Sequence, residues 1–140
     1  MDDAEEQFEE VRQRAAKYKD IEFYDEPGQF GARPKAQNSF WVHFWDTGGG
    51  NYQVSYDGWH EHFDDRERAL NCFAYGLVGE GRLKVTLRGS FECAWTLQVQ
   101  DESGAWVDES TTGLIFVPLW RKRRYEIRQN CLTPLNDLQP

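Results

Sequence analysis

Apolar and polar side chains alternate with period two from Phe40 to Asp46 and again from Tyr52 to Asp57, the pattern of two half-buried strands. Phe40, Val42 and Phe44 share one face, and Trp41, His43 and Trp45 share the other. A turn over Thr47–Asn51, with three consecutive glycines, pairs Asp46 with Tyr52, Phe44 with Val54 and Val42 with Tyr56. This register makes one face uniformly apolar, and a slip of one residue would exchange everything the two faces carry. The opposite face then presents Trp41 across from Asp57, His43 across from Ser55 and Trp45 across from Gln53, with Trp59 just beyond.

The period changes to helical after this hairpin. Ala69, Leu70, Phe73, Ala74 and Leu77 fall on one stripe, and Asp64 followed by Glu67 is a capping-box pattern with aspartate as the cap. Gly79 and Gly81 end the helix, and Gly76 inside it costs about 1 kcal/mol relative to alanine. A second amphipathic helix is predicted over residues 1–20, where Ala4, Phe8, Val11, Ala15 and Tyr18 form a narrow seam. That seam either packs on the parent sheet or pairs with a second copy in a homodimer.

Leu83, Val85 and Leu87, then Phe91, Cys93, Trp95, Leu97 and Val99, keep one strand phase, with Gly89 bending or dividing the run. A turn at Asp101–Gly104 leads back through Trp106 and Val107, Leu114–Leu119 reads as a short apolar strand with Pro118 at an edge, and Tyr125–Arg128 as a weaker partner. Pro27, Gly28, Gly31 and Pro34 make residues 25–37 a surface loop, and residues 132–140 a loose tail. The pattern as a whole predicts a single domain over residues 1–140, with its core at 38–131. The fold class is α+β: a curved, mostly antiparallel sheet of five to seven strands with two helices packed on one side.

Charge narrows the partners. Of the net −8, residues 1–26 hold −6, from ten acids against four bases. This balance argues against general binding to nucleic-acid phosphates and allows a basic protein partner. No apolar run reaches the roughly eighteen residues of a membrane span and no secretory leader is recognisable, so a cytoplasmic protein without a membrane segment is expected. Cys72, Cys93 and Cys131 fit neither a disulfide framework nor a zinc pattern, which predicts free, buried thiols and no cofactor.

Candidate chemistry is sparse. His60 and His62 with Asp64 lie on one side of an extended segment and could hold a divalent metal, although Asp64 is better used as the helix cap, and His43 lies roughly 20 Å away along the paired strand. His43, Ser55 and Asp57 could be imagined as base, nucleophile and orienter, but no nucleophile elbow or oxyanion hole accompanies them. The glycine turn lacks the GK[ST] of a phosphate loop, and Arg121–Arg124 reads as a solvated turn. The expectation is a non-enzymatic binding or interaction module that uses Trp41, His43, Trp45, Ser55, Asp57 and Trp59 to hold a protein or a small apolar ligand. The alternative is a small metal-dependent hydrolase or other enzyme built on His43, Asp57, His60 and His62.

Overall fold

The computed structural model describes residues 3–114, 116–131 and 133–134. Helix α1 (Asp3–Ala15) leads into strands β1 (Tyr18–Lys19), β2 (Ile21–Glu26), β3 (Gln29–Pro34), β4 (Val42–Gly48), β5 (Asn51–Tyr56) and β6 (Trp59–Phe63). Helix α2 (Arg66–Leu77) follows, then β7 (Arg82–Arg88), β8 (Phe91–Gln100), β9 (Trp106–Gly113), β10 (Arg123–Arg128) and β11 (Thr133–Pro134). The fold is α+β. Its antiparallel strands divide into a five-stranded sheet, β2-β3-β4-β5-β6, a four-stranded sheet, β10-β7-β8-β9, and the short β1–β11 ladder. Among the described residues no helix is long and apolar enough to cross a membrane.

One apolar core joins the layers. Phe30, Ala32, Val42, Phe44, Val54 and Tyr56 point inward from the five-stranded sheet and meet Phe8 of α1, Ala69, Phe73 and Leu77 of α2, and Leu83, Val85, Leu87 and Leu97 of the second sheet. Both helices lie on this inner face: Phe8 reaches Phe30 at 5.5 Å between ring centroids, and Phe30 reaches Phe73 at 5.1 Å. The β4–β5 pairs are Asp46 with Tyr52, Phe44 with Val54 and Val42 with Tyr56, as the alternation predicts, with a bulge between Asp46 and Gly48. The glycines serve the turn directly, since Gly48, Gly49 and Gly50 all have positive φ.

Several elements differ from the sequence expectation. Residues 25–37 are not a surface loop: β3 lies inside the five-stranded sheet with Phe30 and Ala32 buried. Gly28 makes the β2–β3 turn at φ +80°, and Gly31 is required because any Cβ there would enter the Tyr24 ring that lies over it. Helix α1 ends at Ala15, so Tyr18 and Lys19 are strand residues, and α1 packs on its own sheet through Phe8. The cap of α2 is Asp65, whose Oδ1 accepts from Arg68 N at 3.2 Å; Asp64 lies one residue outside. Leu114–Leu119 forms no strand at its described positions, and Leu114, Phe116 and Leu119 are exposed. Cys72 and Cys93 are sheltered free thiols, but Cys131 is exposed. Of the expected loose tail, residues 132 and 135–140 lie outside the described residues.

Gly76 shows why a helix-weakening residue sits in α2. It is buried, and a Cβ on it would enter the ring of Tyr56, which is itself fully buried with its hydroxyl donating to the Cys72 carbonyl. Gly76→Ala gains about 1 kcal/mol in helix propensity but overpacks a ring that has nowhere to move, a cost of about 1–3 kcal/mol or more. The expected net result is a less stable protein, read as a lower urea midpoint. A raised midpoint would show that α2 can lift off Tyr56.

Candidate functional site

The outer face of the five-stranded sheet, away from both helices, carries most of the residues that could bind or react. Register builds it in transverse rows. Tyr24, Gly31, His43, Ser55 and His60 lie side by side across five strands, and Glu26, Gln29, Trp45, Gln53 and His62 form the next row. His60 is therefore two strands from His43, roughly 10 Å at strand spacing, and not the roughly 20 Å that distance along the chain suggests.

Along β4 the rings stack. Trp41 and His43 lie 6.1 Å apart at 21° and His43 and Trp45 5.3 Å apart at 27°, so the imidazole sits between two indoles. Tyr24 crosses over Gly31 and meets His43 Nδ1 at 2.7 Å, with its ring 5.7 Å from Trp41. Burial lowers the His43 pKa, opposed by the field of Asp57, and burial followed by Glu26 raises that of Tyr24. Between a neutral imidazole and a protonated phenol the hydrogen bond runs in the direction the imidazole tautomer sets, and in either direction it occupies Nδ1 and orients the ring. Trp41, His43 and Trp45 are each partly exposed.

The other predicted site residues divide. Trp59 is not on this face: it is opposite Tyr56 across the β5–β6 turn, is 1 % exposed, stacks on Tyr56 at 4.6 Å and donates from Nε1 to Ser110 Oγ at 2.9 Å. Ser55 belongs to the central row but is buried. Asp57 is in the turn with φ +50°, and its Oδ2 accepts from Arg128 Nη1 at 2.9 Å. Arg128 also donates to Glu92 at 2.9 Å and Glu126 at 3.1 Å. Burial raises the Asp57 pKa, because one guanidinium shared among three carboxylates does not fully offset it and Glu92 adds repulsion. For Arg128, burial opposes its charge, but the bonds from Glu92, Asp57 and Glu126 outweigh it and raise the pKa. This cluster ties the β5–β6 turn to the second sheet.

His60 and His62 lie on the outer face, exposed, with ring centroids 5.5 Å apart. Asp64 follows β6, and among the described residues no three His, Cys, Asp or Glu side chains come close enough together to hold a metal ion. Burial pushes the Cys72 thiol up to about 11, so at neutral pH it is a protonated core side chain with no thiolate to react. Sequence reasoning missed Tyr24, which reaches His43 from β2 across β3, the strand that proline and glycine signals hid; Gly31 marks the close approach it makes.

The chain matches no protein-family model, no curated protein and no solved structure. The reading of its chemistry therefore rests on its own residues.

Proposed function

We propose that this chain is a non-enzymatic binding module that holds a partner protein on the outer face of its five-stranded sheet. One observation carries the reading: Trp41, His43 and Trp45 form a stacked, half-exposed row whose imidazole is fixed by Tyr24. Rings held in place before contact lose little side-chain entropy on binding, and indoles combine large apolar area with a donor, which is why they concentrate binding energy at interfaces. Three of the cavities among the described residues are lined elsewhere and a fourth reaches only His62, while the row itself is partly exposed, an open platform that suits a protein surface better than an enclosed small molecule. The net charge of −8 favours a basic partner.

The hydrolase reading requires His43, Asp57, His60 and His62 to act together. Here Nδ1 of His43 is engaged by Tyr24 and the Asp57 carboxylate by Arg128, so no specific contact favours it.

The test is affinity capture with the full chain and with the Trp41→Ala, Trp45→Ala double variant, quantified by mass spectrometry. Partners enriched by the wild type are expected to fall at least ten-fold with the double variant, the loss that about 1.4 kcal/mol produces. Retention of every partner, or no enrichment over an unrelated acidic protein, would overturn the reading.

A further inference from the structure

A second surface is built on the four-stranded sheet, beside the turn between β7 and β8. Residues 114–125 read LIFVPLWRKRRY, without an acid in a chain that holds 24. In the structure Phe116 is 89 % exposed, Trp120 84 % and Leu119 69 %. Large apolar side chains this exposed, close together in one loop, mark a contact surface. The loop is also anchored: Arg88 Nη1 donates to the Leu119 and Arg121 carbonyls at 3.4 and 3.2 Å, Arg124 Nε donates to the Gly89 carbonyl at 3.1 Å, and Gly89 N donates to the Lys122 carbonyl at 3.3 Å. Phe91, Phe116, Pro118 and Trp120, with Arg88 and Arg121, line an open depression of about 550 Å³ beside it.

Charge identifies the occupant. Among the described residues, ion pairs involve Arg12, Arg14, Lys84 and Arg128, and none involves Arg121–Arg124. Tyr18, just beyond the C-terminal end of α1, lies with Val78 and Gly79 near the start of β7, whereas the loop is fixed at the end of β7, roughly 20 Å away at strand rise. Arg121–Arg124, unpaired among the described residues, thus lie in the same stretch as the exposed apolar side chains.

We propose that the loop over residues 116–122, with Arg123 and Arg124 at the start of β10, is a peripheral anchor for an anionic bilayer surface. Phe116, Leu119 and Trp120 enter the boundary between headgroups and acyl chains, and Arg121, Lys122, Arg123 and Arg124 remain at the phosphate level. Apolar residues followed directly by cations match the two layers such a surface offers, and both signals are needed because either alone binds weakly. A folded acidic protein would have to supply an apolar pocket ringed by carboxylates to match the same side chains. The absence of a membrane-crossing helix concerns spanning and leaves a surface contact open.

The test is co-sedimentation of the full chain with vesicles of phosphatidylcholine alone and with about 30 % phosphatidylserine, at about 0.1 M salt, where screening is moderate. Binding is expected to the anionic vesicles, at least ten-fold weaker to the neutral ones. Arg121→Gln with Lys122→Gln is expected to reduce partitioning roughly thirty-fold, and Phe116→Ser with Trp120→Ser to abolish it. Lipids brominated on the acyl chains should quench tryptophan fluorescence in the wild type, and Trp120→Phe should remove that quenching while retaining binding. Circular dichroism and melting confirm that these exposed variants remain folded. Failure to bind anionic vesicles, binding indifferent to Phe116 and Trp120, or binding to polyglutamate at equal strength without lipid quenching would each overturn the proposal, the last in favour of an acidic polypeptide.

Discussion

Trp59→Ala is expected to lower the free energy of unfolding by about 3–5 kcal/mol, the range for removing a fully buried large aromatic side chain. The residue is 1 % exposed and stacks on Tyr56 at 4.6 Å and 29°. Its Nε1–H reaches Ser110 Oγ at 2.9 Å, so it also joins the edge of the five-stranded sheet to β9. Truncation opens a void where the sheets meet and removes a donor from Ser110. Trp59→Phe keeps most of the packing and loses the hydrogen bond, with an expected cost of about 1–2 kcal/mol. Trp41→Ala and Trp45→Ala, on the partly exposed outer row, are each expected to cost about 1 kcal/mol or less. Urea denaturation of the four variants checks the order. A loss below about 1 kcal/mol for Trp59→Ala would mean that the indole does not hold the sheets together.

Trp59 also shows where sequence reading stops. Period-two alternation correctly ordered β4 and β5 because one face is uniformly apolar and any slip would bury polar groups. Extending that phase past Tyr56 misplaced Trp59. Asp57 and Gly58 make a two-residue turn, with Asp57 at φ +50°, and such a turn sets Trp59 opposite Tyr56 on the same face. The Asp-Gly dipeptide was the available signal.

Other elements were hidden for different reasons. In β3, Pro34 stands at the end of the strand and Gly31 makes room for Tyr24, so the residues that usually signal a loop here serve a sheet. In residues 114–119, apolar composition suggested a strand, but composition cannot show whether a segment meets a ladder partner, and the four-stranded sheet is completed by β7 to β10 without it. The same blindness made Arg121–Arg124 look like an ordinary turn: the sequence displays the charges but not the exposed Phe116 and Trp120 beside them. For the outer face, the strand register placed His43 next to its indoles, whereas its contact with Tyr24 comes from a strand two places away in the sheet.

Asn130 is the least visible residue of this kind, and its replacement has the second large expected effect. It is 1 % exposed and follows β10. Its Oδ1 accepts from Phe40 N at 2.8 Å, and its Nδ2 donates to the Gly76 carbonyl at 3.1 Å. That carbonyl lies in the last turn of α2, where no further helical N–H can reach it, so a side chain 54 residues away caps the helix. Gln129 adds a bond from Nε2 to the Gly79 carbonyl at 2.8 Å, which fixes the same junction. Asn130→Ala strands a buried donor and a buried acceptor at about 1–3 kcal/mol each, so a loss of about 2–6 kcal/mol is expected. Asn130→Asp separates the two bonds: one oxygen still serves Phe40, while the other faces a carbonyl and needs a proton to bond it. Burial and that carbonyl hold the new carboxyl's folded pKa above its unfolded value of about 3.9. Between those two pKa values the folded state binds more protons than the unfolded state, so the variant's stability rises as pH falls through the folded pKa toward about 3.9 and is lost as pH rises back through it. Urea midpoints at pH 7 and pH 5 are expected to differ more in favour of pH 5 for Asn130→Asp than for the wild type. Equal pH responses would show that the amide does not bridge Phe40 and Gly76.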